Sequence, residues 1–270
     1  MQSVFGKNNA FKILWELISP LIIYYAGYYL GYYMIAMILS ANRMTELPDY
    51  INPLVGGICM LCGVIALSGE IRQECRFCKT DRKYTLCNIV EKNKILSCVL
   101  LLTSAISLVV IMNFLMGLSG MTNASESYQK VASSQYSVPL WMGIVLYGMV
   151  SPFAEEMVFR HVIFNKLLRT SGRVAYGMVV SAFLFGIYHG NIVQGTYAFL
   201  MGLFLAYVQY GFGKVWAPVL CHGVGNTVIF LCSTQEKLYN IVFHPIMLII
   251  WSAFLIGTGI FVYKDFKKKQ

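Results

Sequence analysis

Apolar stretches long enough to cross a lipid bilayer recur along this chain from one end to the other, and few folds can accommodate them. Inside hydrocarbon each backbone N–H and C=O must be paired within the protein, and a helix does this within its own segment. The expected fold is therefore an all-α, polytopic transmembrane helical bundle. Composition agrees: 57% of the 270 residues are hydrophobic and 12% are charged, where a soluble domain sits near half and a quarter. Too little polar surface remains to coat a water-soluble globule.

About eight spans are predicted, over 12–40, 51–68, 95–118, 138–165, 173–190, 192–210, 215–232 and 241–263. Only Gly190 and Asn191 separate the fifth from the sixth, which requires a tight helical hairpin. A cleaved secretory signal does not fit the start, because Lys7 and Lys12 lead into a full-length span. The net charge of +9 could suggest nucleic acid, but the basic residues lie in connections and in the tail rather than on one soluble face. With the N-terminus inside, seventeen Lys and Arg fall on the cytoplasmic side. Arg43, Lys130 and Lys237 fall outside, and Arg160 lies within a span. A multi-pass protein of a bacterial cell membrane is expected, and this bias predicts that both of its termini are cytoplasmic. Its partner is then the lipid bilayer, with no nucleic acid.

Three regions are expected: an N-terminal transmembrane part over 1–137 with a basic loop at 69–94, a core over 138–232, and a last span with a basic tail over 233–270. The outer loop near 119–137 is rich in Ser and carries the sequon Asn123-Ala124-Ser125. Gly27-x-x-x-Gly31 and Gly186-x-x-x-Gly190 either bring helices close together or reflect ordinary glycine usage in membrane helices. Of eight cysteines, Cys75, Cys78 and Cys87 share the basic loop. Cys75-x-x-Cys78 has half the spacing of a zinc site, but no second pair follows, so reduced thiols are the expectation.

Ionisable groups inside a span cost roughly 2.5–3.5 kcal/mol each near its centre, so their presence asks for a function. The first three spans hold only Glu16, close to Pro20. The fourth reads Ser151-Pro152-Phe153-Ala154-Glu155-Glu156-Met157-Val158-Phe159-Arg160-His161. Adjacent helical carboxylates point about 100° apart, so the two cannot do the same job. Glu156 and Arg160, at i and i+4, can pair on one face, leaving Glu155 free to work. Pro152 removes a backbone donor one turn earlier and can open room for water. In the fifth span Phe185 and His189 share a face, and in the seventh His222 and Asn226 do. His161 and His244 read as interfacial or structural.

Glu155-Glu156-x-x-x-Arg160, Phe185-x-x-x-His189 and His222-x-x-x-Asn226, in that order, resemble the three motifs of the CAAX-protease and bacteriocin-processing family of intramembrane proteases. The stretch from Gly202 through Trp216-Ala217-Pro218 to Asn226 is similar to that family's third motif region, and the resemblance covers about 138–232. It implies that Glu155 and His189 hold and deprotonate an attacking water, that Glu156 with Arg160 orders the site or binds substrate, and that His222 and Asn226 donate to a tetrahedral oxyanion. The implied activity is hydrolysis of a peptide bond in a membrane-associated protein or peptide, such as a prenylated C-terminus or a bacteriocin-type leader. Two Glu and two His could hold zinc, since His₂Glu with water is a catalytic set. The usual pair of His one turn apart with an adjoining Glu is missing, however, and Asn226 is a poor zinc ligand. No cofactor is favoured, with zinc the alternative. Two other functions compete: a non-catalytic immunity or scaffold protein of the same family, and a transporter. The second is disfavoured because the polar residues all fall in one half of the chain.

Overall fold

The computed structural model describes residues 7–42, 48–80 and 94–267. Among these residues there is no β-strand. The helices are α1 (Lys7–Ala41), α2 (Ile51–Ala66), α3 (Ser68–Thr80), α4 (Lys94–Leu118), the short α5 (Met121–Ala124), α6 (Glu126–Tyr136), the composite α7 (Leu140–Ser171), α8 (Val174–Tyr188), α9 (Ile192–Phe212), α10 (Trp216–Thr234), α11 (Glu236–Val242) and α12 (Pro245–Lys267).

Among the described residues five of these are long and apolar enough to cross a membrane, and seven spans result if each bent pair counts as one. The pairs are α2 with α3, bent by 56°, and α11 with α12, bent by 57°. The one expected span not counted among these is the fifth, α8, which is apolar but has only 15 residues. Large apolar side chains such as Trp15, Leu30, Met37, Ile65 and Leu118 remain exposed on the outside of the bundle. That distribution suits a lipid-facing surface and would be an aggregation hazard in water.

The expected basic loop after the second span begins instead as a helix. Arg72, Arg76 and Lys79 gave Ser68–Thr80 its loop-like charge, yet Glu70 and Glu74, one turn apart, give it a face that docks on α7. Lys166 Nζ lies 2.6 Å from Glu70, and Arg169 Nη1 lies 2.8 Å from both oxygens of Glu74 while its guanidinium stacks on Phe77. Thr170 Oγ1 donates to Glu16 at 2.9 Å, tying α1 to the same end. Cys75 Sγ sits 3.3 Å from His161 Nε2. His161 is thus a buried packing residue, as its sequence position suggested. The Cys78 side chain and the whole of Cys87 lie outside the described residues.

α7 is the centre of the bundle: 56% of its apolar window is buried, against 17% for α1. Phe159 and Val162 of α7 pack in one cluster with Tyr24 of α1, Val64 of α2 and Phe185 of α8. A second cluster joins Val109 of α4 to Met201 of α9 and Cys221 of α10. Close approach is built in by glycine. A side chain on Gly27 or Gly31 would collide with α2, and one on Gly186 would collide with the Gly195 carbonyl of α9. Gly190 does something else: at φ 71° it turns the chain between α8 and α9. Asn191 then caps α9, its Oδ1 accepting from Gln194 N at 2.9 Å.

Candidate active site

α7 is not a uniform α-helix. It runs α-helical over Leu140–Val145, π-helical over Leu146–Val150, α-helical over Ser151–Glu156, π-helical over Met157–Phe164 and α-helical again to Ser171. Wide π turns are rare and cluster at functional sites. Here they flank the six residues that carry both carboxylates.

The two glutamates part company as their angular separation demands. Glu156 turns into the bundle, fully buried, with Oε2 3.2 Å from Nε of the equally buried Arg160. The Arg160 guanidinium lies over the Phe185 ring, 4.2 Å from its centroid, a cation–π contact that partly replaces lost hydration. Gly202 of α9 makes room, since a Cβ there would come within 3.0 Å of Arg160 Nη2. Glu155 faces the other way, into a cavity of about 510 Å³ that is also lined by His189, His222 and Asn226. Its Oε1 accepts from Ser151 Oγ at 2.7 Å. All four residues expected to work on the substrate therefore share one chamber, and Glu156 and Arg160 stand behind it.

Both histidines have their orientation fixed. His189 Nδ1 lies 2.9 Å from the Phe185 carbonyl. A carbonyl can only accept, so Nδ1 carries the proton and the Nε2 lone pair is free for the cavity. His222 Nδ1 donates to Glu156 Oε1 at 2.9 Å, and its Nε2 faces Glu155 Oε2 at 3.6 Å. This bridge between the carboxylates depends on a tight contact of α10 with α7. A side chain on Gly223 would strike the Gly148 carbonyl, and one on Gly148 would strike Thr227 Oγ1.

Several members of the site were not anticipated. Ser151 stands one turn before Glu155, a spacing that could have marked it as a partner. The bond between the Tyr24 and Tyr188 hydroxyls, 3.3 Å long, joins residues 164 positions apart and leaves no trace in the sequence. A metal fits this donor set poorly. Among the described residues no three His, Cys, Asp or Glu side chains converge as a ligand cluster. His222 has also committed Nδ1 to Glu156, which is itself held by Arg160.

Residues 137–228 match the family model described as "Type II CAAX prenyl endopeptidase Rce1-like". The chain is 28% identical over 116 residues to the Bacillus subtilis (strain 168) protein named "Putative membrane peptidase YdiL". That match spans 43% of this chain and 46% of the relative. No solved structure matches. The matched segment contains Glu155, Glu156, Arg160, His189, His222 and Asn226, and along it the chain is similar to that endopeptidase family.

Proposed function

We propose that this protein is a membrane-embedded endopeptidase in which Glu155 activates water against a peptide bond of a membrane-associated protein or peptide. The observation that carries the reading is the placement of Glu155. It is 5% exposed, held by Ser151, and opens on a chamber shared with His189, His222 and Asn226. The matching family and the relative, both described as peptidases, support it.

A water bound between Glu155 and His189 Nε2 loses a proton to the carboxylate as its oxygen attacks the scissile carbonyl carbon. The carbonyl oxygen becomes an oxyanion and receives a hydrogen bond from the Asn226 amide. His222 donates a second when it is protonated on both nitrogens. With the proton on Glu155, the positive charges of Arg160 and His222 then face the negative charges of Glu156 and the oxyanion. Glu155 then hands its proton to the leaving nitrogen as the C–N bond breaks. Glu156 and Arg160 never touch substrate; they hold His222 in place.

The test is to compare new protein N-termini in membranes of cells making the wild-type chain with those of cells making Glu155→Gln. General-base catalysis contributes about 10²–10⁴-fold, so cleavage products should vanish while the variant remains folded and inserted. Products formed at the wild-type rate would rule out Glu155 as the base. No products from either chain would favour a non-catalytic member of the family.

A further inference from the structure

The chamber around Glu155 is sealed at one end and open at the other. Towards the end of α7 its wall is Phe185, backed by the fully buried Phe159 and Arg160. The Tyr24–Tyr188 hydroxyl contact closes the seam between α1 and α8. Below that floor α3 is clamped across α7 by the Glu70–Lys166 and Glu74–Arg169 pairs. In the opposite direction the walls rise past Asn113 and Met116 at the end of α4 to Thr122, Tyr128 and Gln135 of the α5–α6 segment. The chamber thus runs from Glu155 to α6.

The two ends differ in charge. The sealed end carries Lys166 and Arg169 of α7 with Arg72 and Arg76 of α3, whereas the segment at the mouth, 119–137, carries Lys130 as its one basic residue. Basic connections stay in the cytoplasm. The chamber walls add a second constraint. They present tyrosines and the amides of Asn113, Gln135 and Gln194, but neither Lys nor Arg; the ionisable groups nearest the reaction are Glu155, His189 and His222. A bond next to a free C-terminal carboxylate would add a third anion to Glu155 and Glu156, whose charges Arg160 and a protonated His222 already balance, at a high cost away from water. An internal bond in an uncharged stretch carries no such cost, and its backbone can bond to the amides and hydroxyls.

We infer that the site is fed from the extracytoplasmic side through the mouth at α6, and that its substrate is an internal, uncharged stretch of an exported peptide or of the external part of a membrane protein. A cytoplasmic lipidated C-terminus is excluded by both the entry and the lining. The inference deepens the endopeptidase reading and rests on it, but it can be tested without catalysis.

Ser151→Cys places a thiol on the chamber wall and Ala132→Cys places one at the mouth, while native Cys75, exposed on α3, reports the sealed end. Intact cells making each full-length variant are treated with a small, charged, membrane-impermeant methanethiosulfonate, and the modified positions are mapped by mass spectrometry. Both introduced thiols should be fully modified from outside, and Cys75 only after permeabilisation. Inverted vesicles should give the reverse. Modification at position 151 only from the side that modifies Cys75 would overturn the inference. So would labelling of Cys75 in intact cells, or a thiol at 151 unreactive from both sides. A chain with no peptidase activity would still give the expected labelling pattern, so the two readings can fail separately.

Discussion

Arg160→Ala is the perturbation whose size the structure fixes best. Arg160 and Glu156 are both completely enclosed, and no water-facing route exists for either charge. Truncation leaves Glu156 with His222 alone, opens a void over Phe185 and removes the cation–π contact. Deleting one member of a buried pair costs about 3–5 kcal/mol because the other charge stays buried. At about 2–4 °C per kcal/mol for chains of this order of size, Tm should fall by roughly 10 °C. Glu156→Ala should cost a similar amount. Joining Glu156→Gln to Arg160→Met removes both charges at nearly constant volume, so most of the stability should return. Activity should not return, because His222 Nδ1 loses its anionic acceptor. Thermal unfolding of detergent-solubilised wild type, Glu156→Gln, Arg160→Met and the double variant closes a double-mutant cycle. Unchanged Tm in both alanine variants, or a double variant as unstable as the two singles summed, would refute the pairing.

Three further outcomes follow from the same geometry. Ser151→Ala should lower kcat by about tenfold or more with KM little altered, since a hydrogen bond to a charged group is worth about 1.5–3 kcal/mol; unchanged kcat would show that Ser151 does not steady Glu155. Gly223→Ala should destabilise the fold by about 1–3 kcal/mol, the usual cost of overpacking, because its methyl meets the Gly148 carbonyl; a wild-type Tm would mean that α10 stands further from α7. Extensive chelation should leave activity intact. Stoichiometric zinc, with activity lost on stripping and restored by zinc alone, would instead make ligands of His189, His222 and a glutamate.

Hydropathy and charge carried the architecture, because a membrane span is a local property of some twenty residues. Each of the eight expected spans corresponds to a helix or bent helix pair. The sequence could not reveal that α8 is short or that α2 bends into α3. Within one helix, i,i+4 spacing was enough to pair Glu156 with Arg160 and to separate Glu155 from both. Across helices it was not. Nothing local links His222 to Glu156, 66 residues away, so His222 was read only as a donor to substrate. The structure shows it braced against the carboxylate behind the site. Ser68–Thr80 was misjudged for a related reason. Its Glu70 and Glu74 are unremarkable surface acids until Lys166 and Arg169 arrive from α7.

The π turns of α7 show how an irregular helix is tolerated at membrane depth. An unpaired backbone group costs several kcal/mol in hydrocarbon, and irregular backbone survives only where protein or a cavity surrounds it. Every residue of Met157–Phe164 is buried in protein. The earlier turn meets the difficulty differently. In a regular α-helix the Gly148 carbonyl would accept from residue 152, but residue 152 is a proline. The ladder widens instead: Ser151 N donates to the Leu146 carbonyl, five residues back. The Gly148 carbonyl meets Gly223 of α10, where the missing side chain allows its approach. That contact lies one residue from His222. The proline that disrupts the catalytic helix and the glycine that lets α10 close on it therefore act together, one freeing the carbonyl and the other accommodating it. The outcome is that His222 comes within bonding distance of Glu156 while Glu155 is left facing the chamber.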